Sequence, residues 1–206
     1  MQGPGKIVCI GRNYAAHAKE LGNAVPERPL LFLKPPSAVI GDGESILLPS
    51  QSSRVEHEGE IGVVIGHRAR HVAESEALAV IAGYAALNDV TARDLQRLDV
   101  QFTRGKSFDT FCPIGPAADG AAIDWRGIEV VCRVNGEVRQ HGHARDMVFG
   151  IPTLIAFITS VMTLEPGDVI ATGTPEGVGP LQDGDTVEVE LPGRSRVSNP
   201  VRLERA

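Results

Sequence analysis

The segment HEGEIGVVIG, residues 57–66, joins a carboxylate-bearing half to an apolar half. Residues 59–65, which include the apolar half, predict a buried strand, because β-branched residues favour a packed, pleated surface. Alternate residues of a strand share a face, so we expect Glu58 and Glu60 to point the same way. Paired carboxylate oxygens select a hard cation such as Mg²⁺ or Mn²⁺. The segment therefore predicts a metal site or, alternatively, a solvated strand face.

Short apolar segments and turn residues alternate along the rest of the chain. The 206 residues include 23 glycines and 14 prolines, which favours many short strands. Asn135-Gly136 lies between two such segments, 129–134 and 137–140, and predicts a hairpin. Thr91 is the predicted N-cap of a helix over 91–98, with Asp94 at the capping-box position. Further strands are predicted at 6–10, 83–88, 168–172, 186–191 and 196–203, and further helices at 14–21, 74–81 and 152–162. These elements predict one β-dominated α+β catalytic domain over residues 1–206.

Charge and composition argue against several classes of function. The net charge is −6 and there is no Lys/Arg block, so binding to nucleic acid or to an anionic membrane is not expected. No apolar run has the length of a membrane span, and residues 1–11 lack a signal-peptide pattern, so we expect a cytoplasmic protein. Cys9, Cys112 and Cys132 have no metal-site spacing and are expected to be reduced core residues.

Asp89 and Lys106 are candidate partners of the two glutamates. Asp89 stands between the predicted strand and helix, a common position for a ligand side chain; alternatively it is a turn or cap residue. Lys106 lies in a glycine-bearing segment, and its alternative interpretation is an exposed lysine. Three carboxylates and one divalent cation leave one negative charge, which a nearby lysine would neutralise before an anionic substrate arrives.

His17 and Glu20 form a second candidate group. They are three residues apart on a predicted helix and therefore share a face. A carboxylate beside a histidine raises its basicity and fixes its tautomer, as a general base for water requires; an ordinary exposed pair is the alternative. The proline-bearing loop that follows would let residues 13–29 act as a lid. Residues 172–179 are rich in Gly and Thr and would offer donors to an anion, or form a plain loop.

Together these segments resemble the fumarylacetoacetate hydrolase family in its short, single-domain form. The matching segments follow the family's order and span nearly the whole chain: 11–20, 32–35, 57–60, 83–94, 106–109, 135–136 and 172–179. The resemblance implies a mixed β-roll, a homodimer, and Mg²⁺ or Mn²⁺ held at Glu58, Glu60 and Asp89. Lys106 would be the active-site lysine.

The resemblance also suggests roles for residues around the metal. His17 and Glu20 look like the lid dyad of acylpyruvase-type members. Substrate contacts are implied for Arg12, Tyr14, Arg93, Gln96 and Thr174. Residues 140–146 depart from the family's usual polar run, and we expect a surface loop there despite its two histidines.

The function that this resemblance implies is cleavage of the C–C bond of an acylpyruvate, a 2,4-dioxo acid, with release of pyruvate. Such a 2-oxo acid is the small-molecule partner that we expect. Alternatives are oxaloacetate decarboxylation and isomerisation of a 2-hydroxyhepta-2,4-diene-1,7-dioate-type compound. An alternative of another class is a non-catalytic module that binds a metal or a 2-oxo acid.

Overall fold

The structure of the protein is a computed structural model that describes residues 3–120 and 123–204. Its strands are β1 (Ile7–Gly11), β2 (Leu30–Lys34), β3 (Val39–Ile40), β4 (Ile46–Leu48), β5 (Val55–His57), β6 (Gly59–Ile65), β7 (Ile81–Asn88), β8 (Thr91–Ala92), β9 (Cys112–Pro113), β10 (Ala118–Asp119), β11 (Glu129–Val134), β12 (Glu137–His143), β13 (Val169–Ala171), β14 (Gly179–Pro180), β15 (Thr186–Leu191) and β16 (Ser195–Leu203). Its α-helices are α1 (Ala15–Glu20), α2 (Arg93–Leu98), α3 (Thr103–Lys106) and α4 (Ile151–Val161). Short 3₁₀ helices cover Pro36–Ala38, Glu74–Val80, Trp125–Gly127 and Ala144–Asp146.

Two larger sheets form the body of the domain. One has the strand order β10-β7-β6-β13-β1-β2, and the other has the order β12-β11-β15-β16-β4. Apolar side chains from β6, β11, β15 and α4 belong to one buried cluster, because each of these elements must cover one apolar face. Examples are Ile61, Val130, Val189 and Ile155. The predicted strand-dominated α+β class is therefore confirmed.

Several predicted elements agree closely with the structure. The strands at 59–65 and 186–191 have the predicted bounds, and β11 and β12 flank Asn135-Gly136 as an antiparallel pair. Cys9, Cys112 and Cys132 are buried and unpaired. Among the described helices, none combines the length and apolar character needed to cross a bilayer.

The predicted N-cap at Thr91 is wrong. Helix α2 begins at Arg93, and Thr91 pairs with Glu56 in the β5–β8 ladder. The Thr91 hydroxyl donates to the Asp89 carbonyl oxygen at 2.8 Å. Asp94 accepts hydrogen bonds from Ser52 and Ser53 instead of completing a capping box. Strand pairing has therefore displaced a local capping signal.

The predicted surface loop at 140–146 is also wrong over its first half. Strand β12 continues to His143, and Gln140 is buried. The strand extends because its partner β11 reaches back to Glu129, which pairs with His143. The segment at 74–81 is a 3₁₀ helix, Glu74–Val80, and β7 begins at Ile81 rather than at residue 83.

The ends of β6 and β7 position the candidate site. The two strands are antiparallel, and Gly59 pairs with Asn88. The residue before β6 therefore lies beside the residue after β7. The Asp89 N–H donates to the Glu58 carbonyl at 2.9 Å, and the Glu58 N–H donates to Asn88 Oδ1 at 2.9 Å. Two residues 31 positions apart are thus fixed side by side by backbone hydrogen bonds.

Candidate metal centre

Glu58, Glu60 and Asp89 form one buried acidic centre. Each offers a carboxylate oxygen, and these atoms lie within 4.8 Å of one another. The residues are only 4%, 2% and 1% exposed, respectively. The solvated strand face is therefore ruled out for the two glutamates, and Asp89 is no turn or cap residue, because it lies in no turn and its carboxylate binds Lys34 and Lys106. Buried carboxylates at this spacing need positive charge, because each repels the other two.

Lys106 supplies part of that charge from helix α3. Its Nζ donates to Glu58 Oε2 at 2.7 Å and to Asp89 Oδ2 at 2.6 Å. Gly105 allows α3 to approach α2 closely, because a Cβ there would lie 2.9 Å from the Gln96 nitrogen. Lys106 is 2% exposed, so its alternative as a surface lysine is wrong.

Lys34 is a second buried lysine, to which the sequence analysis gave no role. Its Nζ donates to Asp89 Oδ1 at 2.6 Å and to the Val90 carbonyl at 3.1 Å. Its side chain is fully buried. The signal in the sequence is a lysine at the end of the apolar run 30–33, immediately before a proline.

Arg93 holds Glu58 rather than standing free in the site. Its Nη2 donates to Glu58 Oε1, its Nε to Glu56 Oε2 at 2.6 Å, and its Nη1 to Gln96 Oε1 at 2.6 Å. Glu56 was not predicted; it balances the charge of Arg93 from β5. In the structure Arg93 therefore holds a carboxylate of the acidic centre in place. The predicted contact between Arg93 and a substrate stays a prediction.

The electrostatics of the three carboxylates differ. Burial raises the pKa of Glu60 well above its usual range, and the neighbouring Asp89 and Glu58 raise it further. Burial also acts on Glu58, but Lys106 and Arg93 outweigh it and hold the pKa of Glu58 well below the usual range. Glu60 thus differs from Glu58, because the resident positive charges do not compensate for its burial.

A hard divalent cation fits this donor set. Glu60 accepts one hydrogen bond, from the Gly173 N–H at 2.8 Å, and can still offer lone pairs to an ion. Together with Glu58 and Asp89 it provides the anionic oxygen ligands that Mg²⁺ and Mn²⁺ prefer. A divalent cation with Lys34 and Lys106 would carry four positive charges against three carboxylates. The centre would then be net positive by one charge, not neutral as the sequence alone suggested.

A cavity of about 280 Å³ opens over the centre. Of the predicted site residues, most form its wall: Arg12, His17, Glu58, Glu60, Asp89, Arg93, Gln96, Lys106 and Thr174. Phe32 and Phe102 add an apolar edge. Segments that are far apart in the sequence therefore meet at one concave site, which is of the size that small ligands occupy.

His17 and Glu20 are paired at the margin of this cavity. His17 Nδ1 lies 3.2 Å from Glu20 Oε2, and His17 is buried, so the alternative of an ordinary exposed pair does not hold. Glu20 Oε1 also accepts a hydrogen bond from the Gly177 N–H at 3.0 Å. Helix α1 is thereby attached to residues 172–179. Glu20 itself is not in the cavity wall and reaches the site through His17.

The start of the predicted lid, residues 13–29, is anchored. Asn13 Nδ2 donates to the Thr172 carbonyl at 2.8 Å, and Asn13 Oδ1 accepts from the Phe149 N–H at 2.8 Å. Any movement of this segment would therefore begin after residue 13, and movement of α1 would also have to break the hydrogen bond between Glu20 and Gly177. Closure of the segment as a lid stays a prediction.

Arg12 and Tyr14 lie on either side of that anchor and differ in availability. Arg12 has φ of 58°, a left-handed conformation that costs roughly 1–2 kcal/mol in a non-glycine residue. Its guanidinium has no hydrogen bond or ion pair within the described residues, and Arg12 is part of the cavity wall. Tyr14 is buried outside the cavity wall, and its hydroxyl has no hydrogen-bond partner within the same residues. Arg12 is thus the better placed of the two for an anionic ligand.

Gln140 connects the second sheet to the site. Its Nε2 donates to Thr174 Oγ1 at 2.7 Å and to the Pro175 carbonyl at 2.8 Å, while its Oε1 accepts from the Gly59 N–H at 2.9 Å. Thr174 Oγ1 donates its proton to the Gly59 carbonyl at 2.9 Å. The hydroxyl proton of Thr174 is therefore already used within the protein. The predicted contact between Thr174 and a substrate carboxylate stays a prediction.

Fold and site together define a strand-dominated α+β domain with a buried acidic centre in the wall of a cavity. The chain belongs to the fumarylacetoacetate hydrolase family, because residues 6–202 match the family model described as Fumarylacetoacetate (FAA) hydrolase C-terminal. The family resemblance inferred from the sequence motifs is therefore confirmed.

Similar proteins in this family carry several activities in their names. The mitochondrial oxaloacetate tautomerase FAHD1 of Arabidopsis thaliana is 48% identical over 93% of this chain and 88% of its own length. A structure of 5-carboxymethyl-2-hydroxymuconate delta-isomerase from Mycobacterium smegmatis is 45% identical, with a TM-score of 0.90, over 98% of this chain and 80% of that one. Fumarylpyruvate hydrolase from Pseudomonas aeruginosa, solved with Mn²⁺ and pyruvate, is 32% identical, with a TM-score of 0.91, over 97% and 90% of the two chains.

Proposed function

We propose that this protein hydrolyses an acylpyruvate, a 2,4-dioxo acid, and releases pyruvate. The observation that carries the proposal is the His17–Glu20 pair at the cavity that contains the acidic centre. A histidine oriented by a carboxylate is the usual arrangement of a general base. The similarity to a fumarylpyruvate hydrolase whose structure holds Mn²⁺ and pyruvate supports the same reaction.

Substrate binding follows from the charges around the cavity. Glu58, Glu60 and Asp89 would hold Mg²⁺ or Mn²⁺, which when bound polarises the 2-keto oxygen and stabilises the negative charge that develops on the pyruvate portion. Arg12, whose guanidinium has no partner within the described residues, would bind the substrate carboxylate. Lys106, at 2.6–2.7 Å from two of the carboxylates, keeps a positive charge beside the 2-oxo group.

Proton transfer follows from the histidine geometry. Glu20 occupies the Nδ1 side of His17, which leaves Nε2 to accept a proton from a water molecule. That water attacks the C4 carbonyl, the C3–C4 bond breaks, and its electron pair remains with the pyruvate portion. The proton held by His17 then completes the methyl group of pyruvate. Glu20 stabilises the transient imidazolium.

Keto–enol tautomerisation of oxaloacetate is a second candidate, favoured by the 48% identity to a plant oxaloacetate tautomerase. It would use the same base to move a proton at C3 but needs no attacking water. Isomerisation of an unsaturated dicarboxylate shares that proton transfer. Oxaloacetate decarboxylation would need neither the base nor the water.

The proposal is tested with the whole chain at saturating Mg²⁺, assayed on acetylpyruvate, fumarylpyruvate and oxaloacetate. We expect His17→Ala to lower acylpyruvate hydrolysis by roughly 10²–10⁴-fold, the usual effect of losing a general base. Calorimetry should show unchanged Mg²⁺ binding. His67→Ala is the matched control, because His67 is exposed and lies outside the cavity wall.

Three outcomes would contradict the proposal in different ways. Full hydrolysis by His17→Ala would mean that another group activates the water. Tautomerisation without hydrolysis in the wild-type protein would favour the second candidate. Metal and 2-oxo-acid binding without turnover of any substrate would indicate the non-catalytic module.

A further inference from the structure

A second group of potential metal ligands lies on the five-stranded sheet, outside the cavity. Glu129 is in β11, and His141 and His143 are in β12. Glu129 pairs directly with His143 across the two strands. His141 precedes His143 by two residues, so the two imidazoles share one face of the sheet. The intervening Gly142 is buried, and the face that carries the histidines is the outer one.

The donor atoms of these three residues already converge. His141 Nε2 lies 3.1 Å from Glu129 Oε2, and His143 Nδ1 lies 4.0 Å from Glu129 Oε1. The two imidazole centroids are 5.2 Å apart. Ligand atoms of a tetrahedral zinc ion with bonds of about 2.1 Å are about 3.4 Å from one another. One ligand atom from each of the three residues lies within 4.8 Å of the other two, so side-chain rotations that bring these atoms closer together would complete the site.

The chemistry of this group differs from that of the acidic centre. Two imidazoles and one carboxylate suit Zn²⁺, Cu²⁺ or Ni²⁺, whereas three carboxylates suit Mg²⁺ or Mn²⁺. The hydrogen bond with His141 lowers the pKa of Glu129 and favours its anionic form. The side chains of Glu129, His141 and His143 are 42%, 52% and 25% exposed, so an ion can reach them from solvent.

A simple surface ion pair is a poorer explanation for the arrangement. An exposed pair of this kind contributes at most about 1 kcal/mol and requires one histidine, whereas here both imidazoles face the same carboxylate. The ladder between β11 and β12 fixes the spacing of all three residues. Such a preorganised set loses little conformational entropy when it binds an ion.

We propose that Glu129, His141 and His143 bind a transition-metal ion, with Zn²⁺ as the representative, at a surface site separate from the acidic centre. Three protein ligands leave one coordination position for water. The ion would fasten the edge strand β12 to β11. Because Gln140 in β12 donates to Thr174 in the cavity wall, the site would also stabilise the strand that supports the cavity.

The site can be tested by adding Zn²⁺ to the intact protein in excess Mg²⁺ and following the imidazole resonances of its six histidines by NMR. We expect the signals of His141 and His143 to change and to saturate at one equivalent, while that of His17 in the cavity stays in place. His141→Gln and His143→Gln should each weaken Zn²⁺ binding by at least about 10-fold. His67→Gln, an exposed histidine elsewhere, should bind as the wild type does.

Thermal unfolding provides a second measurement that does not depend on the assignment of resonances. Binding to the folded state alone raises the melting temperature, so Zn²⁺ should stabilise the wild-type protein and His67→Gln more than Glu129→Gln. Equal Zn²⁺ affinity in His141→Gln and the wild type would overturn the proposal. So would a first change at His17, because Zn²⁺ would then be entering the acidic centre.

Discussion

Replacing Lys34 with methionine would remove one positive charge from the acidic centre while keeping an unbranched side chain of similar length. Asp89 Oδ1 would lose the partner that now lies 2.6 Å away, and both side chains of this pair are buried. Removing one partner of a buried pair costs about 3–5 kcal/mol. Lys106 still donates to the other Asp89 oxygen, so we expect the low end, about 3 kcal/mol. For a chain of this size the melting temperature should fall by about 6–12 °C.

The same variant should respond more strongly to Mg²⁺ than the wild-type protein does. The cation would add positive charge to the centre from which one has been removed, so the rise in melting temperature on adding Mg²⁺ should be larger in Lys34→Met. The opposite holds for an anionic ligand. With Lys34 absent, the metal-loaded centre would lose its net positive charge, and a 2-oxo acid should bind more weakly.

Thermal unfolding in chelator and in saturating Mg²⁺ measures both effects. Arg68→Met is the matched control, because Arg68 makes an exposed ion pair with Glu165 at 3.2 Å, and such pairs contribute at most about 1 kcal/mol. Equal destabilisation by the two substitutions would refute the reasoning. A Mg²⁺ response in Lys34→Met no larger than in the wild type would refute the electrostatic part alone.

Two further predictions concern pH and assembly. The pKa of Glu60 is raised in the metal-free fold, so the folded protein keeps a proton that the unfolded chain releases. The free energy of unfolding of the metal-free protein should therefore fall as the pH rises from the ordinary glutamate pKa through the raised one. Mg²⁺ displaces this proton, so the Mg²⁺-induced rise in melting temperature should be larger at about pH 8 than at about pH 5.5; a rise independent of pH would contradict this. We also propose a homodimer, supported by the family membership: light scattering should give twice the chain mass of 21.9 kDa, and the monomer mass would exclude it.

The parts of the site that could be predicted from sequence are those with local signals. Glu60 interrupts the apolar strand pattern and Glu58 directly precedes it, and burial of such residues implies a compensating charge. Lys34 gives only a weak signal, because its partner Asp89 is 55 residues away and nothing in the sequence predicts which strands come together. Glu56 was missed for the same reason, since Arg93 lies 37 residues further on.

Pairing between strands also explains the wrong predictions at Thr91 and at 140–146. Thr91 has the residue type of an N-cap, but the ladder with β5 holds it in an extended conformation. The Asn135-Gly136 turn predicted the hairpin correctly, yet a turn fixes register and not strand length. Gln140 therefore had to be found from the structure, where its hydrogen bonds to the loop of Thr174 are visible.

The acidic centre and the candidate base belong to different kinds of structure. Glu58 and Asp89 stand where β6 and β7 are joined by ladder hydrogen bonds, whereas His17 lies on a six-residue helix fastened at Asn13 and through Glu20. Substitutions in that helix would therefore affect the proposed proton transfer without moving Glu58 or Asp89. A protein engineer could vary the exposed positions of α1 to alter the proposed reaction and leave the acidic centre intact, provided that the buried Tyr14 and Ala18 are kept.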